Sequence, residues 1–238
     1  MKAKLYEALI NGLPEDATVQ EVFGGPAWTA ARLSGGGVGM AAHFAGACDF
    51  AAFSGIKLRN AAKFVLSTDQ ETAGAGMAVI NAYYNSPARL NALGAQASGE
   101  KICTDGLDLS GKTVGMIGHM RRTAAALSAA ERLWIFELDP QEGDLPASEE
   151  DKRIPECDIV VITGTALINH TLPGLLSLAE NADVILLGPT VPLCPELLNF
   201  GIRRLAGLVL ARPDDFFHRN RDTGGSPMSF GESFLLGK

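Results

Sequence analysis

The sequence lacks the surplus of basic residues and the long apolar runs that mark two large classes of protein. Its 238 residues carry 20 Lys and Arg against 27 Asp and Glu, a formal net charge of -7 at pH 7. Nucleic-acid binding needs cations that neutralise phosphates, so this balance argues against a nucleic-acid partner. No apolar run reaches the ~18–20 residues that span a bilayer, so we expect no membrane partner either.

The cysteines lie too far apart in the sequence to form a familiar motif. Cys48, Cys103, Cys157 and Cys194 include no Cys-x-x-Cys pair. This spacing argues against a disulfide framework and against a closed zinc site. The acidic Glu7 also lies where a signal peptide would need apolar residues. We therefore expect a cytoplasmic protein with reduced thiols.

The glycines do not complete either common phosphate-binding motif. The segment 35–40 lacks the third glycine of GxGxxG, and no Gly-Lys-Ser/Thr follows it, so we predict a hairpin turn there. Gly115 and Gly118 fall within or at the end of a predicted strand, and His119 and Met120 follow where a pyrophosphate needs bare backbone. NAD binding is therefore an alternative only. S-adenosylmethionine, which has looser glycine requirements, is another.

Residues 1–98 are predicted to form an α+β domain with antiparallel strands followed by helices. The apolar periodicity indicates helices, and glycine-containing turns separate the strand-like runs. The predicted elements are a helix over 1–15, strands over 18–23, 27–34 and 38–44, and helices over 57–66 and 71–84. The polar segment 92–110 is the expected linker between two domains.

Residues 105–238 are predicted to form a parallel sheet with helices on its faces, so the chain as a whole belongs to the α/β class. Short β-branched runs alternate with helix-compatible segments, which is the pattern of such sheets. The predicted strands cover 112–120, 132–140, 158–165, 183–192 and 205–211. The tail from Arg219 is rich in Gly, Ser and Asp, and we expect a loosely held extension or an arm that braces a homodimer.

Chemically useful side chains follow the first two of these strands. His119 comes just after the first, and Glu137 lies at the end of the second. In open parallel sheets, ligands bind outside the carboxyl ends of the strands. An imidazole there can ligate a metal or move a proton near neutral pH. Glu137 can bind a ribose or a metal, or it can form a structural ion pair with Arg121 or Arg122.

The loop after the third strand collects hydroxyls, a glycine and an amide. Thr163 and Thr165 flank Gly164, and Asn169 follows. Exposed backbone N–H groups and hydroxyls of this kind suit a carboxylate or phosphate oxygen. Thr171 is instead predicted to cap the helix that begins at residue 172.

The loop after the fourth strand is stiffened by proline. Gly188 and Pro189 precede Thr190, which such a loop would present at little ordering cost. Cys194 comes just before a predicted helix over 195–200. A thiol at a helix N-terminus has a lowered pKa and can ligate a metal, although a buried and inert cysteine is the commoner case.

In these segments the sequence resembles the heavy-metal chelation family. The closest segments are 162–169 (ITGTALIN) and 187–193 (LGPTVPL), with 25–30 (GPAWTA) and 76–82 (GMAVINA) in the first half. The resemblance covers nearly the whole chain. It implies an enolase-N-terminal-like domain, a Rossmann-like domain, and a site in the cleft between them. The role proposed for that family is binding of a heavy metal or of a metal-chelating small molecule in cofactor metabolism.

The resemblance implies a set of residues that face the cleft from both halves. From the first half these are Trp28, Thr29 and Asn81; from the second, Gly118, His119, Glu137, Thr163, Gly164, Thr165, Asn169, Gly188, Pro189 and Thr190. His119, Glu137 and Cys194 offer N, O and S donors that suit a transition metal.

Three functions remain open from the sequence. The first is a cleft protein that binds a metal or a metal–chelator complex. The second is an enzyme that acts on a small anionic substrate, with or without NAD or S-adenosylmethionine, in which His119 or Glu137 is the acid or base. The third is a delivery protein for a metallo-cofactor that carries out no reaction.

Overall fold

Two glycine-containing turns shape the first region into a small antiparallel sheet. The computed structural model describes residues 2–98 and 106–237. Strands β1 and β3 pair on either side of β2. Gly36, in the turn after β2, has φ +88°, which an L residue rarely adopts. The strands are β1 (Val19–Gly24), β2 (Trp28–Leu33) and β3 (Val38–Ala42).

Helices cover this sheet, as the sequence predicts. They are α1 (Lys2–Asn11), α2 (Leu58–Ala62), α3 (Gln70–Tyr84) and α4 (Pro87–Leu93), with short 3-10 helices at Phe50–Phe53 and Lys63–Leu66. The small residues of α3 allow very close packing. A Cβ at Gly76 would lie 2.2 Å from the backbone nitrogen of Val65, and one at Gly39 would lie 2.0 Å from that of Ala82. The glycines in and beside α3 therefore allow backbone segments to lie in direct contact.

The second region is built on one eight-stranded sheet. Its strands are β4 (Gln96–Ser98), β5 (Thr113–Ile117), β6 (Arg132–Glu137), β7 (Leu145–Pro146), β8 (Ile159–Thr163), β9 (Asp183–Leu187), β10 (Ile202–Leu210) and β11 (Gly231–Gly237). The six strands from β5 to β10 are parallel and lie in the spatial order β10-β9-β8-β5-β6-β7. Counted from β5 this is the order 3-2-1-4-5-6 of doubly wound α/β sheets.

Helices connect these strands. They are α5 (Arg121–Leu127), α6 (Glu150–Arg153), α7 (Leu172–Leu178) and α8 (Pro213–Asp222), with 3-10 helices at Ala147–Glu149, Ile154–Glu156, Gly164–Leu167, Pro195–Phe200 and Pro227–Ser229. No helix in residues 2–98 and 106–237 combines the length and the apolar character needed to cross a membrane.

The C-terminal tail is part of the sheet, so the predicted loose extension is wrong. Strand β11 pairs antiparallel with β10 along its whole length, and β4 pairs with the other edge of β11. Phe216 and Phe217 of α8 are buried against Ala30 and Met40 of the first region. These two aromatic residues anchor α8, from which the chain continues through the tail into β11. Residue 238 lies outside the described residues.

The two regions share one hydrophobic core. Buried side chains of α1, α3, β8 and α7 belong to a single cluster. The Tyr6 hydroxyl donates to the Leu167 carbonyl oxygen at 2.7 Å, and the Asn85 amide donates to the Val191 oxygen at 2.9 Å. The first region thus covers one face of the parallel sheet. Strand β4 lies within the segment 92–110 expected as the linker, yet it joins the second sheet. Domain boundaries at 98 and 105 stay a prediction, and residues 99–105 lie outside the described residues.

Candidate functional site

A pocket of about 380 Å³ lies at the carboxyl ends of β5, β6 and β8. We call it the strand-end pocket. Its lining includes six residues predicted from the sequence: Gly118, His119, Glu137, Thr163, Thr165 and Asn169. All its lining residues lie between 117 and 171, so the first region contributes none of them. This pocket is therefore not the expected cleft that residues of both halves would line.

Gly118 makes the turn that brings His119 into the pocket. Its φ is +88°, and a Cβ at this position would lie 3.1 Å from Cγ2 of Thr163. Any other residue would be strained here. The chain can therefore leave β5 sharply and place the imidazole beside the end of β6.

His119 is paired with a carboxylate that the sequence analysis missed. Its Nδ1 lies 2.9 Å from Oδ1 and 3.0 Å from Oδ2 of Asp144, whose side chain is 1% exposed. Burial alone would raise the pKa of Asp144, but hydrogen bonds from His119 and from the Gln141 N–H outweigh it and lower that pKa. An ionised carboxylate only accepts hydrogen bonds, so Nδ1 must be the donor. The other ring nitrogen, Nε2, is then free to bind a metal or a proton.

The loop position of Asp144 explains why it was overlooked. It lies between β6 and the two-residue strand β7, among several other acidic residues. No spacing rule distinguishes it from them. The available signal was only that loops after parallel strands form ligand sites.

Asp144 lies behind His119 and not in the lining of the strand-end pocket, which includes two other carboxylates. Glu137 is half-buried at the end of β6, and Glu150 begins α6. Burial raises the pKa of Glu150, and the nearby Asp151 adds to the effect. The predicted pairing of Glu137 with Arg121 or Arg122 is wrong, because no ion pair joins them among the described residues.

Hydroxyls and an amide form the wall that β8 supplies. The hydroxyl oxygens of Thr163 and Thr165 lie 3.1 Å apart. The Thr171 hydroxyl donates to Asn169 Oδ1 at 2.8 Å. Helix α7 begins at Leu172 as expected, but Thr171 makes no side-chain cap, so that prediction is wrong in detail. This wall can both donate to and accept from a polar ligand.

Gly164 serves packing between two loops. A Cβ there would lie 2.8 Å from Cγ2 of Val191 and 2.9 Å from its backbone nitrogen. The glycine therefore allows the loop after β8 to touch the loop after β9. Its expected contact with a ligand is not supported by this position.

Thr190 and Asn81 bind the two regions together instead of facing an open cleft. Thr190 is 3% exposed, and its hydroxyl accepts from the Ala42 N–H at 3.0 Å. Asn81 is 1% exposed and donates to the carbonyl oxygens of Met40 and Thr190 at 2.8 and 2.9 Å. The proline-stiffened loop does hold Thr190 rigidly, but against protein.

Thr29 is also buried, in a hydrogen bond with a histidine. Its hydroxyl lies 3.1 Å from Nδ1 of His43, and Nε2 of that ring lies 3.9 Å from the Glu71 carboxylate. The Thr29 side chain is fully buried. Its predicted place in an open cleft is wrong.

Cys194 does not join His119 and Glu137. It is fully buried and donates to the Glu196 carboxylate at 3.0 Å. Burial raises its pKa to about 12, and the Glu196 contact adds to this. The expected lowering by a helix N-terminus is therefore wrong, because the thiol lies in the core. Among residues 2–98 and 106–237 no three His, Cys, Asp or Glu side chains form a group that could hold a metal ion.

The remaining predicted residues line a second, larger cavity. Trp28, Gly188 and Pro189 border a space of about 760 Å³ on one face of the sheet. We call it the sheet-face cavity. It includes Trp28 of the first region, and it shares Met120 with the strand-end pocket. The predicted site residues thus divide between two neighbouring pockets and the buried contact between the regions.

The comparison with known proteins identifies the family. Residues 105–234 match the DUF364 family and residues 6–84 match the DUF4213 family, both described as "Putative heavy-metal chelation". The chain belongs to this family. The match confirms the resemblance on which the sequence analysis relied.

Two solved members of the DUF364 family share the fold. A protein of unknown function from Desulfitobacterium hafniense is 32% identical, with a TM-score of 0.91 over 99% of this chain and 98% of that one. A protein of unknown function from Pyrococcus horikoshii is 18% identical, with a TM-score of 0.80 over 99% and 97%. At that lower identity the likeness concerns the fold alone.

The chain is also similar to an uncharacterized protein of Methanocaldococcus jannaschii. It is 34% identical over 146 residues, which are 58% of this chain and 55% of the relative. The chain thus spans about half the length of that protein.

Proposed function

We propose that this protein binds a transition-metal ion carried by a small chelating molecule, and that the strand-end pocket is the site. The observation that carries the proposal is the His119–Asp144 pair. A carboxylate that accepts from one imidazole nitrogen fixes the tautomer and orients the other nitrogen, which is the usual support for a metal-binding histidine. His119 would be the protein's ligand, and its side chain is 30% exposed.

A chelated ion fits this pocket better than a bare ion. A bare transition metal needs three or four protein donors in place, and no such group exists among the described residues. A chelator supplies most of the donors itself and leaves one or two positions open. The volume of about 380 Å³ lies within the usual range for small-molecule sites. The Thr163 and Thr165 hydroxyls would donate to its oxygens, and Glu137, which lines the same pocket, would be a second ligand.

The nickel complex of nitrilotriacetate is a suitable probe, because the chelator leaves two nickel positions open. Isothermal titration calorimetry should show one complex bound per chain. His119→Ala should abolish binding, whereas His218→Ala, which removes an exposed histidine of α8 that does not line the pocket, should leave it unchanged. Equal binding by both variants, or binding of free nickel as tight as the complex, would refute the proposal.

A second candidate is a nucleoside-containing cofactor such as S-adenosylmethionine or NAD. What favours it is Glu137, which ends the second strand of a 3-2-1-4-5-6 sheet and lines the same pocket as the loop after β5. An acid at this position commonly accepts from ribose hydroxyls. The His119–Asp144 pair would then be available for proton transfer. Titration of both cofactors into wild type and Glu137→Gln tests this, and absence of binding at millimolar concentration would remove it.

We propose a cytoplasmic location as well. The free thiols of Cys48, Cys157 and Cys194 support it, because reduced cysteines are typical of that compartment. Cys103 lies outside the described residues. A homodimer stays a prediction, and its expected basis in a tail arm is lost because β11 is built into the sheet. Native mass spectrometry would measure the assembly directly.

A further inference from the structure

The sheet-face cavity lies on the face of the sheet against which α5 packs. Helix α7 and the 3-10 helix at Pro195–Phe200 pack, with the first region, on one face of the sheet. On the other face Leu127 of α5 meets Val161 and Ile185, and Phe216 and Phe217 of α8 pack with Leu208 and Leu210. The part formed by β9 and β10 is roofed by an edge of α5, by Trp28 and by the segment 226–228.

The wall of this cavity is largely apolar and is fixed in place. Leu187 and Leu208 form part of its floor and are 6% and 3% exposed. Trp28 donates its indole N–H to the Gly225 carbonyl oxygen at 3.1 Å. The indole therefore has only ring surface left to offer a ligand. Met228 at the rim is 44% exposed.

Two polar groups in the lining have no partner among the described residues. Ser233 on β11 is 9% exposed, lines the cavity and makes no side-chain hydrogen bond among the described residues. Arg122 on α5 forms neither an ion pair nor a side-chain hydrogen bond. The Arg122 guanidinium is exposed, so it and the Ser233 hydroxyl are both available to a ligand in the cavity. A cation beside an apolar wall selects an anion with an apolar body.

We infer that the sheet-face cavity is a second small-molecule site, which binds an apolar monoanion. The apolar body lies between Trp28 and the sheet floor, and the anionic group accepts from Arg122. This site has its own lining apart from Met120, which it shares with the strand-end pocket. Because this site requires no metal, its ligand binding can be tested independently of the proposed metal-chelate site.

The probe is 1-naphthalenesulfonate, with neutral 1-naphthalenemethanol as its matched analogue. Calorimetry on the full chain should give one sulfonate per chain. Arg122→Gln should weaken sulfonate binding about tenfold, since a hydrogen bond to a charged group is lost. Arg121→Gln removes the same charge from the adjacent residue, which does not line the cavity, and should change affinity less than about twofold. The neutral analogue should bind wild type and Arg122→Gln equally.

Blocking the cavity gives an independent test. Ala126→Phe fills it from α5, and Ala125→Phe does so from a more exposed position if the first variant fails to fold. Either should abolish sulfonate binding and leave binding of the nickel–nitrilotriacetate probe intact. Three results would each overturn the inference: no saturable binding at millimolar concentration, equal loss in Arg121→Gln and Arg122→Gln, or sulfonate uptake that only accompanies dissociation of a dimer in sedimentation experiments.

Discussion

The loops after β8 and after β9 lie at the same edge of the same sheet, but Thr163 borders a pocket whereas Thr190 is buried. Thr163, which ends β8, is half-buried and lines the strand-end pocket. Thr190, which follows β9, is 3% exposed and bonded to the backbone of β3. The difference is the first region, whose helix α3 and strand β3 cover Thr190 and leave Thr163 uncovered. The place of the site is thus decided by what covers the strand ends as much as by the strand ends themselves.

We expect the largest effect on stability from a substitution that breaks the contact between the first region and the loop after β9. Asn85 donates to the carbonyl oxygens of Val191 and Leu208 at 2.9 and 3.2 Å and accepts from the Leu193 N–H at 2.9 Å. Asn85→Ala leaves three buried groups without partners, so we expect a loss of about 3 kcal/mol in the free energy of unfolding. Urea denaturation measures it.

Asn91→Ala, at an exposed position of α4, is the control and should lie within about 0.5 kcal/mol of wild type. If the two variants were equally stable, the contact between the regions would not be what closes the loop after β9.

A substitution beside the strand-end pocket should instead change the affinity for a ligand. Asp144→Asn keeps the size of the side chain but no longer requires Nδ1 of His119 to be the donor. We expect affinity for the nickel–nitrilotriacetate complex to fall about 10–100-fold. The unfolding free energy of each variant must be measured alongside. A fall in stability with unchanged affinity would mean that Asp144 holds the loop and does not orient the imidazole.

Thr190→Val should lower the free energy of unfolding by less than Asn85→Ala does. It keeps the shape of the side chain and removes the acceptor for the Ala42 N–H. We expect about 1–2 kcal/mol of destabilisation because a buried donor is left alone. Thr68→Val, at an exposed threonine, should have little effect on the unfolding free energy. Tighter or weaker binding of the nickel complex in Thr190→Val would contradict its assignment to the covered side.

The smallest effect is a pH dependence. The folded-state pKa of Asp144 is lowered, so its stabilisation is fully present above the unfolded value of about 3.9 and is lost as pH falls through the lower folded value. Urea midpoints measured from pH 5 down to about pH 3 should therefore fall less steeply in Asp144→Asn than in wild type. Parallel curves would indicate that the carboxylate is not held ionised by His119.

Much of the fold could be predicted because it depends on local pattern. The β-branched runs predicted every parallel strand from β5 to β10 except the two-residue β7, and glycine turns separated β1, β2 and β3. The tail escaped prediction because β11 is ordered by pairing with β10 and with β4, and the pairing with β4 joins segments that are distant in sequence.

The site could be predicted in part, for a similar reason. Strand ends identify Gly118, His119, Glu137 and Thr163 as neighbours, because parallel strands bring their carboxyl ends together. Nothing in the sequence shows that α3 covers Thr190, since that depends on how two regions pack. Asp144 belongs to a loop without periodicity, so its hydrogen bond with His119 required coordinates.

The central claim is that Nε2 of His119 is the protein's ligand to a chelated metal. Anomalous diffraction at the nickel edge, from crystals grown with the nickel–nitrilotriacetate complex, tests it most directly. We predict one nickel peak about 2.1 Å from that nitrogen. A nickel peak at Cys194, at His218 or at any site away from the strand-end pocket would contradict the account.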